Sequence, residues 1–139
     1  MTLEKFRILH STLIEHYQFI ESHMEGIYAA VCDKSLADGL NDVKRDGLAG
    51  ILQDIRHQER VKNLQVFDDR QEDQLRDLFQ RRNFWCHSCY LELPFDLKTG
   101  GPANVLDAQQ MLEDLKTAEH WREFLFGMKI RLLKENEKI

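Results

Sequence analysis

The sequence predicts an all-α protein, an up-and-down bundle of four to five helices forming one domain over residues 1–139. Two observations carry that prediction. Apolar residues recur at steps of three and four along most of the chain, the spacing of one helix face. There are also only 2 prolines and 7 glycines, most of them between the periodic stretches. With 42% hydrophobic and 31% charged residues, the chain has the balance of an ordinary globular domain rich in helix formers and is long enough to bury its own core.

The first helix is expected from Leu3 to about Val31. Leu3, Phe6, His10, Leu13, Tyr17, Ile20, Met24, Ile27 and Val31 alternate steps of three and four, a heptad-like seam packed along its whole length. Between Cys32 and Asn41 the periodicity breaks; Ser35 with Asp38 reads as the cap of a short helix and Gly39 as its close. A second substantial helix is expected from about Asp42 to Gln58, burying Leu48, Ile51, Leu52 and Ile55, with Gly47 and Gly50 as places of close approach to a neighbour. Val61 to Phe67 reads as a connection or an extension of that helix. Asp68 and Gln71 have capping-box spacing, so a third helix starts there and runs unbroken to Leu93, where Pro94 stops it. Pro94 to Pro102 is a loop. Asn104 and Asp107 open the last helical region, whose apolar stripe shifts near Thr117, as one kinked helix or two, with a polar tail from Lys134.

The third helix carries the departure from pattern. Leu75, Leu78, Phe79, Trp85, Cys86, Cys89 and Leu93 share one stripe, and Arg82 falls in its middle, where packing alone calls for leucine. A guanidinium keeps its charge on burial, so Arg82 must meet a carboxylate, a phosphate or a polar cleft. Glu15, Glu21 and Glu25 on the first helix are the carboxylates in reach. Asn83 and His87 lie one turn apart on the flank. Phe84 and Leu91 lie roughly opposite Arg82, so the helix is apolar on two faces; one faces the core and the other is free for a second copy.

Arg82, four intervening residues and His87, with Asn83 directly after the arginine, resemble the defining motif of the HEPN superfamily. The resemblance implies an all-helical, dimeric domain, and in many members a metal-independent endoribonuclease used as a toxin or in defence against phage, with no cofactor. It implies a composite site at a homodimer interface, two copies of Arg82 and His87 sharing one cleft and leaving a 2′,3′-cyclic phosphate. His87 would be general acid/base, Arg82 the phosphate clamp and Asn83 a polar positioner, with Arg81 and Tyr90 at the substrate. An antitoxin or operon partner would accompany such a toxin. In the subgroup controlled by a nucleotidyltransferase antitoxin, a tyrosine follows the histidine after one residue. Here that position is Cys89 and the tyrosine is Tyr90, so the resemblance does not extend to control by tyrosine nucleotidylation. Two other function classes stand beside this one: a catalytically silent HEPN-like module that dimerises or binds nucleotides or a partner, and an unrelated helical scaffold in which Arg82 pairs internally, His87 is an interface histidine and Tyr90 a core ring.

Composition narrows the field further. A formal charge of −5 excludes a broad nucleic-acid-coating protein, so any RNA contact must be local. The basic clusters available for it are Arg56, His57, Arg60 and Lys62, and Arg76, Arg81 and Arg82. The 3 cysteines cannot close a disulfide framework and suit a reducing compartment. Cys86 and Cys89 have Cys-x-x-Cys spacing, but mid-helix and without a second pair they read as small core residues rather than zinc ligands or a redox pair. Asp54-x-x-His57 is the only near match to a di-iron bundle motif, which needs two such pairs. No apolar run reaches spanning length and the N-terminus lacks a signal-peptide pattern, so a cytoplasmic protein is expected.

Overall fold

A computed structural model of the chain describes all residues, 1–139. It is all-helical and up-and-down. The elements are α1 (Leu3–Val31), α2 (Leu36–Val43), α3 (Leu48–Lys62), α4 (Asp69–Asn83), a π-helical turn (Phe84–Ser88), α5 (Cys89–Glu92) and α6 (Val105–Glu135). Because α4, the π turn and α5 follow one another without a gap, the chain makes five rods. The long helices α1 and α6, 29 and 31 residues, each extend about 45 Å at 1.5 Å per residue. The pairs His16–Arg122, His23–Lys129 and Cys32–Lys138 keep one offset, so α1 and α6 run parallel. Phe6 against Tyr90, His10 against Trp85 and Glu21 against Arg82 run in opposite order, so α4 descends alongside α1.

The predicted seam of α1 is the spine of the core. Phe6, Leu13, Tyr17, Ile20, Met24, Ile27 and Val31 are all buried, while Leu3 and His10 are only partly so. They join Ile51, Leu52 and Ile55 of α3, Leu75, Leu78 and Phe79 of α4, Trp85, and the α6 seam in a single contiguous cluster. On α6 the buried positions Met111, Asp114, Ala118, Trp121, Leu125, Met128 and Leu132 follow steps of three and four, with Leu133 buried beside the last. The expected phase shift at Thr117 is therefore absent: Val105, Leu106 and Leu112 are exposed, and a carboxylate occupies the seam position that an aliphatic residue would have marked.

Local chemistry sets the element ends. The capping box forms as predicted, Gln71 N donating to Asp68 Oδ1 at 2.7 Å and Asp68 N to Gln71 Oε1 at 3.0 Å. Ser35 accepts from Asp38 N at 3.2 Å and starts α2. The helix expected from Asp42 is instead two, α2 ending at Val43 and α3 starting at Leu48. Gly39 lies inside α2, against Ala29 of α1 and the Cys32 thiol; a Cβ there would fall 2.9 Å from the Ala29 Cα. Close approach belongs to Gly39 rather than to Gly47, which begins α3, or Gly50, whose only near neighbour is Asp46 in the preceding turn.

Glu59 closes the α3–α4 connection. Its Oε2 accepts from Val66 N at 2.7 Å and Phe67 N at 3.0 Å, and Arg56 Nη1 donates to Oε1 at 3.0 Å. Arg56 also donates to the Phe67 carbonyl at 2.6 Å and pairs with Asp69 at 2.8 Å and Glu72 at 2.7 Å, tying α3 to the first turn of α4. Removing the carboxylate leaves the two buried amides without their acceptor, while Arg56 keeps the Phe67 carbonyl, Asp69 and Glu72. Glu59→Ala is expected to lower stability by about 3 kcal/mol, read by urea unfolding; a loss below about 1 kcal/mol would show that water replaces the carboxylate.

Along the α1–α6 seam, Lys129 Nζ donates to Nδ1 of the buried His23 at 3.0 Å. An ammonium only donates, so His23 is neutral with its proton on Nε2. Burial first, then Lys129 and Arg122, push this histidine down from 6.5 to about 4. Above pH 6.5 the site costs nothing. As pH falls the unfolded chain takes up the proton that the folded one refuses, and the loss is complete below about 4. Allowing for solvent screening, it is on the order of 2 kcal/mol. Urea midpoints at pH 7 and pH 4 should therefore differ less in His23→Phe than in the natural chain.

Candidate functional site

The helix that carries Arg82 and His87 is not regular. In an α-helix, residues five apart lie about 140° away from each other around the axis. A π-helical turn occupies Phe84–Ser88, between the two. Its i→i+5 closure takes one more residue per turn and brings positions 82 and 87 toward one face. The unbroken helix expected from Asp69 to Leu93 is thus corrected to three segments, with the irregularity inside the motif.

Two side chains hold the turn. Where the α-helical ladder is interrupted, the Trp85 carbonyl accepts from His10 Nε2 at 2.7 Å and from the Cys89 thiol at 3.4 Å. A carbonyl only accepts, so His10 carries its proton on Nε2. The His10 ring also packs on Phe6 and edge-on to Tyr90, centroids 6.0 and 5.3 Å apart. From the other side, Asp114 Oδ2 accepts the Trp85 indole N–H at 2.6 Å and Arg81 Nε at 2.7 Å, while Oδ1 accepts from Gln110 at 2.9 Å. The buried carboxylate accepts from three donors, one of them charged, which is what burial of such a group demands.

The five residues expected at the site divide between two faces. Arg82 points toward α1, its Nη2 3.4 Å from Glu21 Oε2 and its Nη1 3.2 Å from Asn83 Oδ1; its side chain is 26% exposed. Asn83 and His87 are both exposed. Of the carboxylates in reach, Glu21 takes the contact, while Glu15 pairs with Arg122 at 3.5 Å. Burial and then Glu21 raise the Glu25 carboxyl above its ordinary value. Arg81 points toward α6, held by Asp114 and lying 5.1 Å from the Phe84 ring centroid and 5.7 Å from that of Trp85. Tyr90 is half exposed, stacked on Phe95 at 5.8 Å and edge-on to Phe6 at 5.6 Å.

Other candidates are resolved by their partners. In the first basic cluster Arg56 is bound to Glu59, Asp69 and Glu72, and Lys62 to Asp33 and the Val31 carbonyl. Cys89 is in the core and Cys86 half-buried; burial raises both thiols, with Arg82 opposing it at Cys86, so neither has the depressed value of a reactive thiolate. No group of three or more His, Cys, Asp and Glu side chains comes together as a metal site. No helix is long and apolar enough to cross a membrane.

A cleft of about 710 Å³ opens between α4 and α6, lined by Arg81, Asp114, Tyr17, Gln110, His120 and Trp121 among others; Arg82, Asn83 and His87 do not line it. Sequence reasoning passed over Asp114, and it placed His10 on the α1 seam without finding its partner, the Trp85 carbonyl. The signal for Asp114 was a carboxylate at a seam position of α6, and for His10 an imidazole at a seam position of α1. Comparison with known protein families, with characterised proteins and with solved structures finds no match to this chain.

His10→Phe keeps the ring contacts and removes the donor to Trp85. It is expected to cost about 1 kcal/mol and to shift the His87 imidazole resonances as the π turn relaxes. Unchanged His87 signals would show that the turn does not depend on His10.

Proposed function

We propose that this protein is a HEPN-like endoribonuclease of the toxin or phage-defence type, its active site composed across a homodimer by Arg82, Asn83 and His87 of both copies. The observation that carries the reading is the π turn, which brings a partly exposed guanidinium and an exposed imidazole toward one face of the helix. Such turns recur at functional sites because they re-aim side chains at some cost to the helix.

The chemistry assigned to the pair follows from its groups. An imidazole accepts and returns protons near neutral pH, as deprotonation of the 2′-hydroxyl and protonation of the leaving 5′-oxygen require. A guanidinium grips phosphate oxygens in pairs and stabilises the charge that builds on phosphorus. One chain supplies one of each, and two protons must be handled, so the second copy completes the set. Support for a shared face comes from apolar surface beside His87: Leu91 is 87% exposed and Tyr90 half exposed, surface that a second protomer would cover. In this scheme Tyr90 offers a ring for a base, and Arg81, on the α6 side, stays outside it.

A second reading has its own observation. Arg82 already meets Glu21, so the motif also suits a silent HEPN-like module in which that contact is permanent and the face binds a second copy or another partner. The two separate on purified protein incubated with RNA in the presence of EDTA. The nuclease reading expects cleavage that leaves 2′,3′-cyclic phosphate ends and falls at least about 100-fold in His87→Ala. Cleavage at the natural rate in that variant would place the activity elsewhere, and no cleavage by the natural chain would favour the silent module.

A further inference from the structure

One buried polar atom at the α4–α6 cleft has nothing to bond to. Tyr17 is 1% exposed, lines the cleft, and its hydroxyl finds no hydrogen-bond partner. A buried hydroxyl without a partner is costly, and native chains rarely leave one. Its surroundings define what would satisfy it. Burial, and then the charge of Asp114, hold the proton on the phenol, so it is a donor. Arg81 engages only Nε with Asp114, which leaves both Nη atoms as donors. Asp114 itself is taken up by Arg81, Trp85 and Gln110 and has little to offer a newcomer. The inner end of the cleft therefore presents donors and wants acceptors.

Charge and shape narrow the class. The charged lining residues, Arg81 and Lys116 against Asp77 and Asp114, cancel, so a monoanion with its charge delocalised enters at less electrostatic cost than a dianion, and the free Nη atoms of Arg81 are the charged donors it meets. The planar fork of a guanidinium fits two oxygens in a plane. Leu78 and Trp121 supply an apolar wall, and about 710 Å³ is the size of a small-molecule site. We propose that this cleft binds a small-molecule carboxylate, its oxygens on Arg81 and the Tyr17 hydroxyl and its apolar body along Leu78 and Trp121. The site is separate from the Arg82–His87 face and does not rest on the nuclease reading.

The test uses the full ¹⁵N-labelled chain and sodium benzoate as the probe, with benzamide and inorganic phosphate as comparisons. Benzoate is expected to move the Trp85 and Trp121 indole signals saturably. Tyr17→Phe removes one oxygen that has no partner in the chain, so the variant should fold with stability equal to or above that of the natural protein. It should nonetheless bind benzoate about five- to tenfold more weakly, and His87→Ala should bind it as the natural chain does. Three results would overturn the proposal: no saturable shift, which leaves water alone on the hydroxyl; equal affinity in Tyr17→Phe; or benzamide or phosphate binding as tightly as benzoate.

Discussion

Trp85 is gripped from both sides, and the rest of the molecule is arranged around that grip. Its indole N–H goes to Asp114 on α6 and its carbonyl to His10 on α1, at 2.6 and 2.7 Å. The two long helices run parallel, and the segment that carries the motif lies antiparallel to them, locked to each through one residue. A π turn is less favourable than the α-helix around it. It persists where side chains supply what the interrupted ladder lacks: here His10 and the Cys89 thiol donate to the Trp85 carbonyl, while Asp114 fixes the Trp85 side chain. The register of everything beyond Asn83, including the direction of His87, follows from that turn.

Most of the fold was legible because helical seams are periodic. The α1 stripe, the capping box at Asp68 and the stop at Pro94 all rest on local rules, and all three are found. Errors arose where one residue of the wrong polarity held a seam position. Asp114 broke the apparent stripe of α6 and made a straight helix look kinked. Gly39 read as a helix end, although its lack of a side chain serves the packing of α2 on α1. Val43 to Leu48 looked continuous because helix-forming residues flank a turn that nothing apolar marks.

The site was legible in part for the same reason. Arg82 announced itself by occupying a leucine's place, and it does face α1, with Glu21 as its partner. The π turn left no trace in composition or spacing. It arises from tertiary contacts, His10 on one side and Asp114 on the other, separated from Trp85 by 75 and 29 residues. Arg81 and Arg82 are neighbours in sequence, so a count of basic residues groups them. A rotation of about 100° between successive residues sends them to different helices, Arg81 to α6 and Arg82 to α1, and with them the two candidate sites to different faces of one helix.

The acidic character of the chain bears on how an anion would reach Arg82. With a net charge of −5, no general field draws phosphate in, and Glu21 stands at the guanidinium. That contact is 3.4 Å long between side chains that are each more than a quarter exposed, which places it among the weak pairs, worth less than about 1 kcal/mol. A phosphate meeting the same guanidinium with two oxygens gains more than the carboxylate gives up. On the proposed nuclease reading, Glu21 is a placeholder that the right anion displaces cheaply. Arg81 is the contrasting case: the 2.7 Å bond to a carboxylate that Trp85 and Gln110 also hold fixes its position, so its free Nη atoms remain for a ligand. One helix thus carries an arginine held loosely enough to exchange partners and another held firmly enough to wait for one.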